Sequence, residues 1–147
     1  MDTFYEEDIL GEGFQRTTLS LRDDYEGSAV ATLVRRLSDT GNGRSVLYIH
    51  GFNDYFFQRE MACRLNERSF HFYALDLRKY GRSWLSHQKF NDIRDIRVYF
   101  EEITLALQMI REEGSRTTVL LGHSTGGLML HFTLKNTGIV PFLTASC

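Results

Sequence analysis

A serine, two glycines and a histidine fall together in Gly122-His123-Ser124-Thr125-Gly126, directly after the apolar, β-branched run Thr118-Val119-Leu120-Leu121. The order reads as strand, sharp turn, helix. A serine at such a turn stands on the tip of a strained backbone bend, and the flanking glycines remove side chains that would collide there. The Ser124 hydroxyl is then presented for attack on a carbonyl carbon. Attack of that kind puts negative charge on the carbonyl oxygen, which fixed N–H donors must stabilise. The G-x-S-x-G spacing is common on its own, so its meaning depends on what the rest of the chain builds around it.

Three further stretches supply that setting. Ser45-Val46-Leu47-Tyr48-Ile49-His50 is a near-continuous apolar run, as expected of a strand buried on both faces of a parallel sheet, and it ends in His50-Gly51-Phe52-Asn53-Asp54. Phe70-His71-Phe72-Tyr73-Ala74-Leu75 is an aromatic-rich strand that closes on Asp76-Leu77-Arg78-Lys79-Tyr80-Gly81-Arg82-Ser83. Between them, residues 55–68 carry Phe57, Met61 and Leu65 at spacings of four and read as an amphipathic helix. Ile93, Ile96, Phe100, Ile103, Leu107 and Ile110 form a second helical stripe, with Asn91 or Asp92 as its cap and Gly114 as its stop. Two earlier alternating segments, 14–21 and 28–37, with turns at 23–27 and 39–43, make an opening hairpin. Helix 128–135 follows Ser124, and a further strand is expected at 142–147.

Two strands followed by alternating strands and helices form an α/β pattern. Ligand sites in such sheets lie beyond the carboxyl ends of the strands. The His50-Gly51-Phe52 turn, the Asp76–Ser83 loop and Ser124 all fall at such ends, on one rim.

The 147 residues, 42% hydrophobic and 13% aromatic, suit one globular domain. Seventeen basic against nineteen acidic residues leave a formal net charge of -2, with no field to recruit nucleic acid or an anionic surface. The acidic start has no apolar signal core and no run reaches membrane-spanning length, so a cytoplasmic protein without stable membrane insertion is expected. Cys63 and Cys147 make neither a disulfide framework nor a metal motif. No metal, nucleotide or flavin is implied, and cofactors are expected to be none.

These residues resemble the α/β-hydrolase superfamily, in particular the monoacylglycerol lipase, lysophospholipase and serine aminopeptidase group. Three motifs carry the resemblance in order: His50-Gly51, then Asp76 with Gly81 and Ser83, then Gly122-His123-Ser124-Thr125-Gly126. The resemblance implies an α/β-hydrolase fold, a mostly parallel sheet with an N-terminal antiparallel hairpin. It makes Ser124 the catalytic nucleophile and the backbone N–H groups of Phe52 and Thr125 the oxyanion hole. Gly122, His123 and Gly126 form the nucleophile elbow, and His50 and Gly51 the oxyanion turn. A small-molecule ester or acyl compound is the implied substrate, hydrolysed through an acyl-enzyme.

Two departures follow from the same comparison. The family pattern after its fourth strand is usually D-x-x-G-x-G-x-S, and Lys79 stands at the first of those glycines. The family also places its catalytic acid and histidine after its seventh and eighth strands. Residues 1–147 are therefore expected to be the N-terminal part of a single α/β-hydrolase domain, truncated after about strand six, with the C-terminal core and any cap domain absent. His50, His123, His71 and His131 read as structural, and His87 as the histidine freest to approach the rim. Asp54, Asp76 and Asp95 read as turn, cap or salt-bridge residues. A serine without a base is a poor nucleophile, so the chain is expected to be feeble or inactive alone. An unpaired edge strand and an uncovered apolar face predict self-association. The alternative is a non-catalytic relic or binding protein that retains half of the fold.

Overall fold

The structure is a computed structural model, and it describes residues 3–127. The helix expected at 128–135 and the strand expected at 142–147 lie outside the described residues, as does His131.

Among the described residues, six strands form one mixed sheet in the order β1-β2-β3-β5-β4-β6. They are β1 (Glu6–Glu7), β2 (Phe14–Ser20), β3 (Val30–Arg36), β4 (Arg44–Ile49), β5 (His71–Asp76) and β6 (Thr117–Gly122). The pairs β1–β2, β2–β3 and β3–β5 are antiparallel, while β5 and β6 flank β4 in parallel. The antiparallel part thus extends beyond the opening hairpin to the β3–β5 ladder. Two helices, α1 (Arg59–Glu67) and α2 (Tyr99–Glu112), make the crossovers into β5 and β6.

The pleat sorts the core. Leu47 and Ile49 of β4 and Tyr73 and Leu75 of β5 pack with Tyr99, Ile103, Ala106 and Ile110 of α2. The intervening Val46, Tyr48, Phe72 and Ala74 pack on the other face with Phe56 and Ala62. Alternate residues of a strand point to opposite faces, so both faces are covered and the strand reads apolar throughout. The burial of β4 beyond its first residue follows from this.

Both helices begin later than their apolar spacing predicts. Residues 55–58 are not helical; the Phe56 N–H donates to Asp76 Oδ1 at 2.9 Å, while its ring is buried between Phe14 and Phe72. Asp95, not Asn91 or Asp92, caps the second helical segment: its side chain accepts from the Arg97 N–H at the start of a 3-10 turn, Ile96–Val98, which runs into α2. No helix among the described residues is long and apolar enough to cross a membrane.

Candidate active site

The register of β4 against β6 fixes the site. Ile49 lies beside Gly122, so the residues leaving these two parallel strands, His50 to Phe52 and His123 to Thr125, emerge side by side. The chain reverses its direction of travel here, since β5 lies on one side of β4 and β6 on the other. Crevices at such switch points bind ligands in open α/β sheets.

The bend after β6 is tight. The His123 N–H donates to Ile49 O at 3.0 Å, Gly126 N–H to His123 O at 2.9 Å and Gly127 N–H to Ser124 O at 3.1 Å, with helical backbone from Thr125. Ser124 itself has φ of +54°, in the left-handed region that a residue with a Cβ rarely adopts. A Cβ at Gly126 would lie 2.4 Å from Ile49 O and 2.6 Å from His50 O, and one at Gly122 would lie 2.4 Å from Gly127 N. Both glycines are therefore required by close backbone approach. Ser124 is exposed at the tip, and its Oγ makes no hydrogen bond to a described residue.

The neighbouring turn comes within contact of this tip. A Cβ at Gly51 would lie 3.4 Å from Ser124 Cβ and 3.2 Å from His123 O. Among the described residues, the N–H groups of Phe52 and Thr125 donate to no hydrogen bond. Two buried side-chain atoms beside them, His123 Nδ1 and Thr125 Oγ1, also lack partners among the described residues.

His50 holds the turn from beneath. It is fully buried, its Nε2 accepts the Leu77 N–H at 3.1 Å, and its Nδ1 lies 2.8 Å from Gly51 O. Since a backbone N–H can only donate, Nε2 is the bare nitrogen and Nδ1 carries the proton that Gly51 O accepts. Burial lowers the His50 pKa and so favours this neutral form. Its ring packs on Tyr80 with centroids 4.6 Å apart. Tyr80 and Tyr99 are both buried, and burial raises the pKa of each phenol.

Asp76, at the end of β5, orders the loop that faces this turn. Its carboxylate accepts from the N–H groups of Phe56 and Arg82 and from the Arg82 guanidinium, which also forms a bidentate pair with Asp8 at 2.7 and 2.9 Å. Asp76 is thus a structural acid, in keeping with its reading from the sequence. Lys79 has φ of +67°, so the backbone keeps the left-handed form that the usual glycine permits. The lysine adds a function of its own: its buried Nζ donates to Asp24 Oδ2 at 2.7 Å, Glu26 Oε1 at 2.6 Å and Asp92 O at 2.7 Å. Arg78, one residue earlier, makes a buried pair with Glu102 of α2. Burial pushes the Glu102 carboxyl up to about 7, against the pull of the Arg78 guanidinium.

The remaining described histidines lie elsewhere. His71, at the start of β5, accepts the Ser38 N–H at the opposite end of the sheet. His87 is engaged with Ser28 O at 2.9 Å, so the histidine that reads as freest in the sequence is tied to the hairpin. Asp54 accepts its neighbour's N–H from Tyr55. Tyr80 and Arg82 carry no sequence signal of their support role, apart from the Lys79 departure that marks the loop as unusual.

A search of curated proteins gives no match. Solved structures give many. The fold is similar to a highly thermostable carboxyl esterase from Bacillus coagulans, with TM-score 0.71, 16% identity, and coverage of 90% of this chain and 44% of that one. It is similar to a lipase in its open form, with TM-score 0.73, 18% identity and coverage of 90% and 44%. It is also similar to a soluble variant of the monoglyceride lipase of Saccharomyces cerevisiae, with TM-score 0.54, 20% identity and coverage of 76% and 35%. This chain spans less than half the length of each. At such identities the likeness concerns the fold. The family model described as "Alpha/beta hydrolase family" matches residues 46–144, which hold both the turn after β4 and the bend after β6, and the chain belongs to that family.

Proposed function

We propose that the chain carries the nucleophilic half of a carboxylic ester hydrolase, with Ser124 as nucleophile and the N–H groups of Phe52 and Thr125 as oxyanion donors. The observation that carries this reading is the position of Ser124. It is exposed on a left-handed bend, in contact range of Gly51, with two unused N–H donors on the two chain segments that meet there. Ser124 Oγ attacks the ester carbonyl carbon and its proton passes to a base; the carbonyl oxygen becomes an oxyanion held by both donors. Collapse expels the alcohol, protonated by the same base, and water repeats the sequence on the acyl-enzyme. Two fixed donors make this favourable, since losing one costs about 3 kcal/mol of transition-state stabilisation.

The base and the acid that orients it come, in this proposal, from outside the 147 residues. Both nitrogens of His50 are used by backbone groups, and His71 and His87 are engaged away from the bend. Loss of a base in a comparable serine hydrolase lowers turnover by about a millionfold, leaving the residual rate of the oxyanion hole. Single-chain acyl esters, of the lysophospholipid or monoacylglycerol kind, are the proposed substrate class, by analogy with the monoglyceride lipase among the similar folds.

Hydrolysis of p-nitrophenyl butyrate tests the proposal. Slow release of nitrophenol that rises when imidazole is supplied, and that Ser124→Ala abolishes in both conditions, is the expected result. A rate that Ser124→Ala leaves unchanged overturns it and favours the second reading, a non-catalytic half-fold, which the lack of any described hydrogen-bond partner for Ser124 Oγ also suits.

A further inference from the structure

Phe52 lies on a short exposed turn, and a donor on such a turn is useful only if it is held still. The fold holds its neighbour, Asn53, by its side chain, whose Oδ1 accepts from Asn91 Nδ2 at 3.0 Å. Both asparagines are in the left-handed region, Asn53 at φ +55° and Asn91 at φ +60°, which asparagine tolerates better than most residues. Asn91 is itself anchored, because its N–H donates to Lys79 O at 3.2 Å. Lys79 is in turn clamped by Asp24 and Glu26 at the tip of the β2–β3 hairpin and by Asp92 O. A continuous path of contacts therefore runs from the hairpin tip through Lys79 and Asn91 to the residue after Phe52.

We infer that Asn91 and Lys79 are positioning residues for the reaction proposed above: Asn91 fixes the Phe52 N–H through Asn53, and Lys79 fixes Asn91 to the hairpin. This inference rests on that reading for its chemical consequence, and on the contacts alone for its structural one. It also gives the lysine at a left-handed position a purpose. Glycine there would ease the backbone, yet it would leave the loop without its hold on Asp24 and Glu26.

The test uses variants that respect the backbone. Glycine adopts the left-handed conformation freely, so Asn91→Gly and Asn53→Gly each remove the side-chain bond without adding strain. Lys79→Met removes the ammonium and keeps the chain length. Amide 15N relaxation on the full chain reads order at Phe52 and Asn53, and the rate of Ser124 modification by a fluorophosphonate reads the oxyanion hole. In that reaction the Oγ–P bond forms as P–F breaks, fluoride leaves and the serine proton goes to solvent base.

The expected result is a fall of the Phe52 and Asn53 order parameters from about 0.85 to below about 0.6 in Asn91→Gly, with His50 and Gly122 unchanged. Asn53→Gly gives the same loosening at Phe52, the double variant adds nothing further, and Lys79→Met gives a smaller loss. Modification of Ser124 slows by about 10- to 100-fold, the scale set by a misplacement of roughly 1 Å. A role confined to general stability would lower the melting temperature without singling out Phe52. Unchanged order at Phe52 in Asn91→Gly overturns the inference. If the parent chain is not modified at Ser124 at all, the proposed function fails, while the relaxation result still decides the positioning role.

Discussion

Gly126→Ala is the sharpest perturbation of the site. Gly126 does not have a positive φ, so the substitution asks nothing unusual of the backbone; its whole cost is contact. The added Cβ would stand 2.4 Å from Ile49 O, whereas ordinary contact begins near 3.4 Å, so the bend must withdraw from the end of β4 by about 1 Å. That movement lengthens the His123 N–H bond to the same Ile49 O, now 3.0 Å. Overpacking of this kind costs about 1–3 kcal/mol, and weakening a buried backbone bond adds about 1 kcal/mol. The sum is a loss of about 2–4 kcal/mol. A 1 Å retreat of Ser124 and Thr125 from the Phe52 side should also slow Ser124 chemistry by about 100-fold. Gly114→Ala is the natural control, because its Cβ would meet nothing within 4 Å and only its φ of +107° resists. Urea unfolding of both variants, with Ser124 modification measured beside it, checks the argument. A Gly126→Ala chain within 0.5 kcal/mol of its parent, as a rough limit on surface-type substitutions, would refute the claim that close packing against β4 sets the bend.

Three other outcomes are expected. Arg82→Met should cost about 3–5 kcal/mol by urea unfolding, because it strands the carboxylates of Asp8 and Asp76, both fully buried in the ion pair. Stability should fall below about pH 3.8. Burial would raise Asp8 and Asp24, but their bonds to Arg82 and Lys79 outweigh it and hold both below 3.8, so their contribution is complete above that pH and lost as pH falls through the folded values. Above that pH two groups oppose: neutral His50 loses stability as pH drops below 6.5, while Glu102, raised to about 7, gains it as pH falls towards 4.5. Nitrogen NMR of the imidazoles should find His50 as the Nδ1–H tautomer at neutral pH; the Nε2–H form would contradict its bond from Leu77.

The strands and the bend were legible because local pattern decides them. A run such as Val46 to Ile49 can only be buried on both faces, and glycines on either side of Ser124 announce close approach. Helix starts were less legible. Tyr55 to Gln58 has helical spacing, but a tertiary acceptor, Asp76, takes the Phe56 N–H and the chain enters the helix later. The supports of the turn after β4 were invisible in the sequence for a different reason: each joins residues far apart, such as Asp8 with Arg82 or Glu26 with Lys79, and no local period encodes such pairs. Only the lysine in a glycine position hinted at them.

The proposed function depends most directly on whether Ser124 reacts as a nucleophile. Intact-mass measurement of the full chain after exposure to a fluorophosphonate, followed by peptide mapping, decides it. One adduct per chain, on Ser124, formed faster with added imidazole and absent from Ser124→Ala, is predicted. No adduct, or one distributed over other hydroxyls with Ser124 unmodified, would contradict it.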